Sequence, residues 1–199
     1  MRGRLLTIIV AGFLIGALGG AAALVLTQSG TGAVQTTGKA LVGGPFKLVD
    51  QHGKTVTDEG FRGRYMLVFF GFTHCPDICP AELQVMAASL DELGAKADEI
   101  VPIFITLDPE RDTPDVMGDY VKNFSPRFVG LSGSPEAIAE AAKAYRVAYS
   151  KFQEDQSKSD YSIDHSALVY FMGKEGEYLA HFPYGTPATK MTETLRRYL

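Results

Sequence analysis

The chain has 199 residues, 46% of them hydrophobic, and a formal net charge of −4. That length suits one ordinary domain plus a small appendage, and the acidic balance argues against general nucleic-acid binding, which needs a basic face. Two cysteines are too few for a fold built on disulfides.

The appendage comes first. No charged residue lies between Arg4 and Lys39, and residues 5–26 are apolar or small apart from Thr7. At a rise of about 1.5 Å per residue, such a run crosses a hydrocarbon core of roughly 30 Å. Arg2 and Arg4 precede it, so the positive-inside rule puts the N-terminus in the cytoplasm and the remainder across the membrane. The rival reading is a cleaved signal peptide, with Ala21-Ala22-Ala23 as the cleavage site. Leu24-Val25-Leu26 extend the run beyond the about 7–15 residues of a signal core, which favours an uncleaved anchor at residues 1–27. No long Arg- and Ser-rich leader precedes it, so the expectation is a single-pass bacterial inner-membrane protein with its C-terminal domain in the periplasm. Residues 28–40 are small and polar and read as a flexible tether. Residues 41–199 are the exported domain.

Residues 46–50 predict a strand, followed by a turn and the start of a second strand. Residues 66–72 (MLVFFGF) are continuously apolar, as in a strand buried on both faces. Leu83, Met86, Leu90 and Leu93 then recur at helical spacing. Residues 100–107 (IVPIFITL) form a second buried strand. Thr113-Pro114 and Ser134-Pro135 each cap a helix, with a short strand at 128–131 between them. Residues 147–152 and 161–163 flank the polar stretch 153–160 as an inserted hairpin or loop. Strands at 167–172 and 178–182 follow, joined by a turn at Lys174-Glu175-Gly176. Thr186-Pro187 caps a last helix, with Met191, Leu195 and Tyr198 facing inward. The order predicts an α/β fold. A cysteine pair at the exit of the first buried strand, opening a helix, is the thioredoxin-like arrangement.

Both cysteines, Cys75 and Cys79, lie in GFTHCPDICPAEL, residues 71–83. A helix N-terminus offers partial positive charge and free N–H groups, so both thiol pKa values are expected below the free value of about 8.5. Gly71 permits close backbone approach, and Pro76 and Pro80 stiffen the loop. A disulfide across so short a loop would be a poor staple, because it constrains the unfolded chain little. Dithiol–disulfide exchange and binding of a soft metal through two thiolates remain, with Cu(I) favoured by softness and zinc also compatible. Four histidines are present. His74 adjoins Cys75, but adjacent side chains tend to point apart. His52 falls in a turn and His181 in a late strand. His165 precedes a buried strand, a position compatible with a ligand and equally with an ordinary polar loop residue. Asp108 sits at the exit of the second buried strand, where sites gather in open α/β sheets. The plain alternative is that Asp108 caps a turn and Arg111 pairs with a nearby carboxylate.

Together, GFTHCPDICPAEL, ITLDPERDTP and DYSIDHSALVY, in that order, resemble the motifs of the Sco/SenC family of copper-binding assembly proteins. The resemblance covers nearly all of the exported domain, and a single N-terminal anchor fits it. It implies a thioredoxin-like fold and ligation of one Cu(I) or Cu(II) by Cys75, Cys79 and His165. Asp108 resembles the family's aspartate near the copper. It further implies a role in building the dinuclear copper site of cytochrome c oxidase subunit II, with room for another copper chaperone as donor. Disulfide formation between Cys75 and Cys79 would remove both thiolates and gate copper binding by redox state.

A metallochaperone is therefore the leading reading, and a thiol–disulfide oxidoreductase that reduces the cysteines of that copper site is the alternative. His165 separates them, because dithiol exchange needs only Cys75 and Cys79. A peroxide-reducing enzyme would need one peroxidatic cysteine with its own activating shell, which the close pair does not suggest. A redox or copper sensor is compatible with an anchored domain.

Overall fold

A seven-stranded mixed sheet is assembled from segments that are either continuously apolar or alternating. In this computed structural model, which describes residues 41–153 and 161–199, the chain begins with β1 (Lys47–Asp50) and β2 (Thr55–Thr57). Next come β3 (Tyr65–Gly71), α1 (Ile78–Leu93), β4 (Ile100–Thr106) and α2 (Pro114–Val121). β5 (Val129–Ser132) and α3 (Pro135–Ala144) precede a hairpin of β6 (Tyr149–Phe152) and β7 (Ser162–His165). β8 (Leu168–Met172), β9 (Tyr178–Pro183) and α4 (Ala188–Leu195) complete the chain. The sheet order is β2-β1-β5-β4-β3-β8-β9, and β6-β7 form a separate two-stranded ladder.

The two apolar runs become the centre of the sheet. β3 and β4 pair in parallel, with Val68 opposite Ile103. Every residue of β4, and all of β3 after Tyr65, is buried, as expected for strands covered on both faces. β8 lies antiparallel on the other side of β3, with Phe69 opposite Val169. β8 therefore begins at the edge where β3 and β4 end.

The helices form where caps and apolar spacing direct them. Thr113 Oγ1 accepts from the Val116 N–H at 3.4 Å, and Ser134 Oγ from the Ala137 N–H at 3.2 Å, each with proline at the start of the helix. α1 turns Leu83, Met86, Leu90 and Leu93 inward. α4 packs on α1, with Ser89 Oγ donating to Met191 Sδ.

Two expectations at the C-terminus are corrected. Thr186 does not cap α4; its hydroxyl donates to the Pro183 carbonyl at 2.6 Å, which closes the preceding turn, and Pro187 takes the cap position. Tyr198 is not inward but 40% exposed, because α4 ends at Leu195 and the chain leaves the helical face. Its ring lies edge-on to Phe171 instead. The anchor at 1–27, the tether at 28–40 and most of the polar stretch 153–160 lie outside the described residues. Among the described residues no helix is long and apolar enough to cross a membrane.

Gly71 ends β3 and joins the sheet to the cysteine loop. Its carbonyl accepts from the Leu107 N–H at 2.7 Å, tying the exits of β3 and β4 together. A Cβ placed there would lie 2.6 Å from Cys79 Sγ and 2.9 Å from Phe104 Cε2. Gly60, by contrast, has nothing within 4 Å of such an atom. Gly71→Ala is therefore expected to destabilise the fold by about 1–3 kcal/mol through overpacking. Gly60→Ala is expected to shift stability by no more than about 0.5 kcal/mol. Urea denaturation of both variants beside the parent checks the contrast, and equal effects would contradict it.

Candidate metal centre

The loop between β3 and α1 is short and turns sharply. The Cys75 N–H donates to the Phe72 carbonyl at 3.3 Å. α1 starts at Ile78, so Cys79 sits in its first turn, fully buried, while Cys75 is partly exposed. Both thiols are free. The Cys79 N–H points at Cys75 Sγ from 3.4 Å.

This geometry splits the two thiols. Hydrogen bonding from the Cys79 thiol, with backbone N–H groups of Cys79, Asp77 and Ile78, outweighs partial burial and draws Cys75 down to about 5. Cys79 moves the opposite way: its hydrogen bond to Cys75, burial and the neighbouring negative charges of Cys75 and Asp112 push it strongly up. Sequence analysis expected both values to fall. Only the exposed thiol does, because one proton shared between two sulfurs stays with the buried one.

The hairpin brings in His165. It ends β7, its Nε2 lies 3.7 Å from Cys79 Sγ, and its Nδ1 is 3.2 Å from the Ser166 carbonyl oxygen. A carbonyl only accepts, so the neutral ring carries its proton on Nδ1 and turns the Nε2 lone pair toward the sulfur. Phe69 and Phe72 stand edge-on to the imidazole at 6.1 and 6.2 Å between ring centroids. Cys75 and His165 open onto one cleft of about 440 Å³, also lined by Phe72, Ile78, Phe152 and Ile163.

Asp108 stands at the strand exit that sequence analysis named. It is fully buried at the exit of β4. Its carboxylate accepts from Arg111 Nε and, at 2.7 Å, from the Tyr161 hydroxyl. The carboxylate that pairs with Arg111 is thus Asp108 itself. The carboxylate bound to the cysteine loop is Asp112, which sequence analysis missed. It accepts from the Thr73 N–H at 2.9 Å, the Thr73 hydroxyl at 2.5 Å and the Thr106 hydroxyl at 2.6 Å. It thereby pins the residue two before Cys75 to the end of β4.

Of the other histidines, His74 is half-exposed beside Thr73 and Asp112, His52 is exposed, and His181 meets the Tyr178 hydroxyl. Glu82, one helical turn after Cys79, is a second missed residue. It is buried, and neither carboxylate oxygen has a hydrogen-bond partner among the described residues. Burial pushes it up to about 7, and the Gly185 N–H, too poorly placed to count as a full hydrogen bond, offsets this only in part.

No three His, Cys, Asp or Glu side chains among the described residues are grouped tightly enough to hold a metal as they stand. What is in place is a chain of contacts, Cys75 to Cys79 to His165. A thiolate, a second sulfur and an imidazole lone pair are the donor types that suit a soft monovalent ion such as Cu(I).

The SCO1/SenC family model matches residues 34–199. The chain is similar to the mitochondrial SCO1 homolog of Homo sapiens, at 45% identity over 147 residues, covering 73% of this chain and 48% of that protein. It thus spans about half the length of the human and Arabidopsis thaliana curated relatives it matches. Among solved structures it is similar to Bradyrhizobium japonicum ScoI with copper bound, at 43% identity and a TM-score of 0.73, covering 79% of this chain and 99% of that one. Arabidopsis thaliana ScoI with copper bound matches at 41% identity and a TM-score of 0.74, covering 78% and 96%. These likenesses bear out the thioredoxin-like α/β fold. With residues 34–199 covered by its family model, the chain belongs to the SCO1/SenC family.

Proposed function

We propose that this protein is a copper metallochaperone. Cys75, Cys79 and His165 hold one copper ion per chain, and the cargo is delivered during assembly of the dinuclear copper site of cytochrome c oxidase subunit II. Residues 1–27 anchor it in the bacterial inner membrane, residues 28–40 tether it, and residues 41–199 work in the periplasm. The reading leaves room for another copper chaperone as donor.

The observation that carries this reading is the approach of His165 Nε2 to Cys79 Sγ at 3.7 Å, with Nδ1 held by the Ser166 carbonyl. Simple dithiol exchange gives no reason for that imidazole to be there. Two thiolates and one imidazole suit Cu(I), and the nitrogen makes Cu(II) acceptable too. Cys75 is ionised at neutral pH and Cys79 is not, so loading the site displaces the Cys79 proton. The open cleft leaves Cys75 accessible for handing the ion on.

The split between the thiols also favours a second reading, thiol–disulfide exchange on the same client. The Cys75 thiolate attacks a client disulfide, forming a mixed disulfide and expelling one client thiolate. Cys79 then gives up its proton and attacks Cys75 sulfur. That closes the Cys75–Cys79 disulfide and releases the second client thiol. The pair is oxidised by two electrons and the client reduced by two.

Anaerobic Cu(I) titration of the reduced full chain against a chromogenic chelator tests the first reading. One ion per chain is expected, with affinity reduced by His165→Ala by at least the roughly 10–100-fold that lost outer-shell support costs, and lost in Cys75→Ser/Cys79→Ser. Binding indifferent to His165→Ala, with dithiol exchange intact, would move the assignment to the oxidoreductase. Alkylation of the reduced, copper-free chain tests the thiol split. Cys75 is the acid with the lowered value, so its rate should rise through about pH 5 and be flat at neutrality. A rate that climbs only near the ordinary thiol value of about 8.5 would contradict it.

A further inference from the structure

The hairpin that carries His165 has no ladder to the main sheet. Among the described residues its two strands pair only with each other, Tyr149 opposite His165 and Phe152 opposite Ser162. The position of the imidazole therefore depends on what else grips the hairpin. The turn after β4 grips both strands. On the β7 side, the Tyr161 hydroxyl donates to Asp108 Oδ1 at 2.7 Å, and Arg111 donates from its Nη1 to the Tyr161 carbonyl at 3.1 Å. The Arg111 guanidinium stacks 3.8 Å over the Tyr161 ring while its Nε pairs with Asp108. On the β6 side, Lys151 Nζ donates to Glu110 at 2.7 Å and lies 4.6 Å from the same ring.

We propose that Asp108, Arg111 and Tyr161 form a clamp that positions His165, and that Asp108 serves the copper site through Tyr161 rather than as a ligand. Tyr161 is four residues before His165, about 13 Å along an extended strand. Play at the clamp becomes displacement at the imidazole. The carboxylate is fully buried and already engaged by a guanidinium and a hydroxyl. Turning it toward a metal would break a buried ion pair, a costly change. Its burial and partners fit a fixed strut. This proposal rests on the three-donor reading of the site.

The test uses the full chain with Asp108→Asn and Tyr161→Phe, each alone and each combined with His165→Ala. Tyr161→Phe keeps the ring over Arg111 and removes only the hydroxyl, so it remains informative if Asp108→Asn folds poorly. Both variants should speed hydrogen exchange of the β6–β7 amides in the copper-free protein. Both should weaken Cu(I) roughly tenfold, the scale of lost outer-shell support, and neither should weaken it further once His165 is alanine. An Asp108→Asn loss that persists in full in the His165→Ala background would make Asp108 a ligand and overturn the clamp. So would a Tyr161→Phe chain unchanged in both exchange and affinity. If His165→Ala alone leaves affinity unchanged, the three-donor site fails instead, and the exchange measurement still decides whether the clamp holds the hairpin.

Discussion

The pairing of β3 with parallel β4 on one side and antiparallel β8 on the other brings three chain segments to one edge of the sheet. β3 ends there and releases the cysteine loop. β4 ends there and releases the turn of Asp108 to Asp112. β8 starts there, so the residues just before it, with His165 among them, are delivered to the same place. The core that enforces this pairing is almost completely dry: Leu67, Val68, Phe69, Phe70, Ile103, Phe104 and Ile105 are all fully buried. Burial on both faces keeps these strands at the centre of the sheet, and their observed register, Val68 opposite Ile103 and Phe69 opposite Val169, sets where the site forms.

On that frame, polar contacts adjust the site in opposite senses. Asp112 ties the cysteine loop down through Thr73 and Thr106, and its charge helps to keep Cys79 protonated. The Cys79 thiol and nearby backbone N–H groups ionise Cys75. One thiolate is ready at the mouth of the cleft, and a second sulfur is held in reserve beneath it. A protein that takes up and gives away a thiophilic ion benefits from that division, because only one proton must leave on loading. The same division orders the steps of disulfide exchange, which is why one geometry supports both readings.

Much of this was legible in the residues. The runs 66–72 and 100–107 announce buried strands by length and continuity, and the two cysteines share one strand exit. His165 was harder. Its nearness to Cys79 requires β8 to run antiparallel on β3, and no local pattern around residues 161–170 states a strand's direction. Asp108 was nominated by the strand-exit rule, which locates a residue but not where its carboxylate turns; Tyr161, far off in sequence, decides that. Asp112 carries no motif of its own, since its donors are threonines at the ends of two different strands. Glu82 was readable and overlooked: it stands four residues before Met86, on the inward face of α1, although its type suggests solvent. Thr186 shows the limit of capping signals, because its hydroxyl found a closer acceptor in Pro183.

X-ray absorption of the Cu(I)-loaded chain tests the central claim most directly, since it reads the donors on the metal itself. The account predicts two sulfurs and one imidazole nitrogen, with the nitrogen gone and both sulfurs kept in His165→Ala. A sulfur-only site in the parent chain, or a nitrogen that survives His165→Ala, would contradict it.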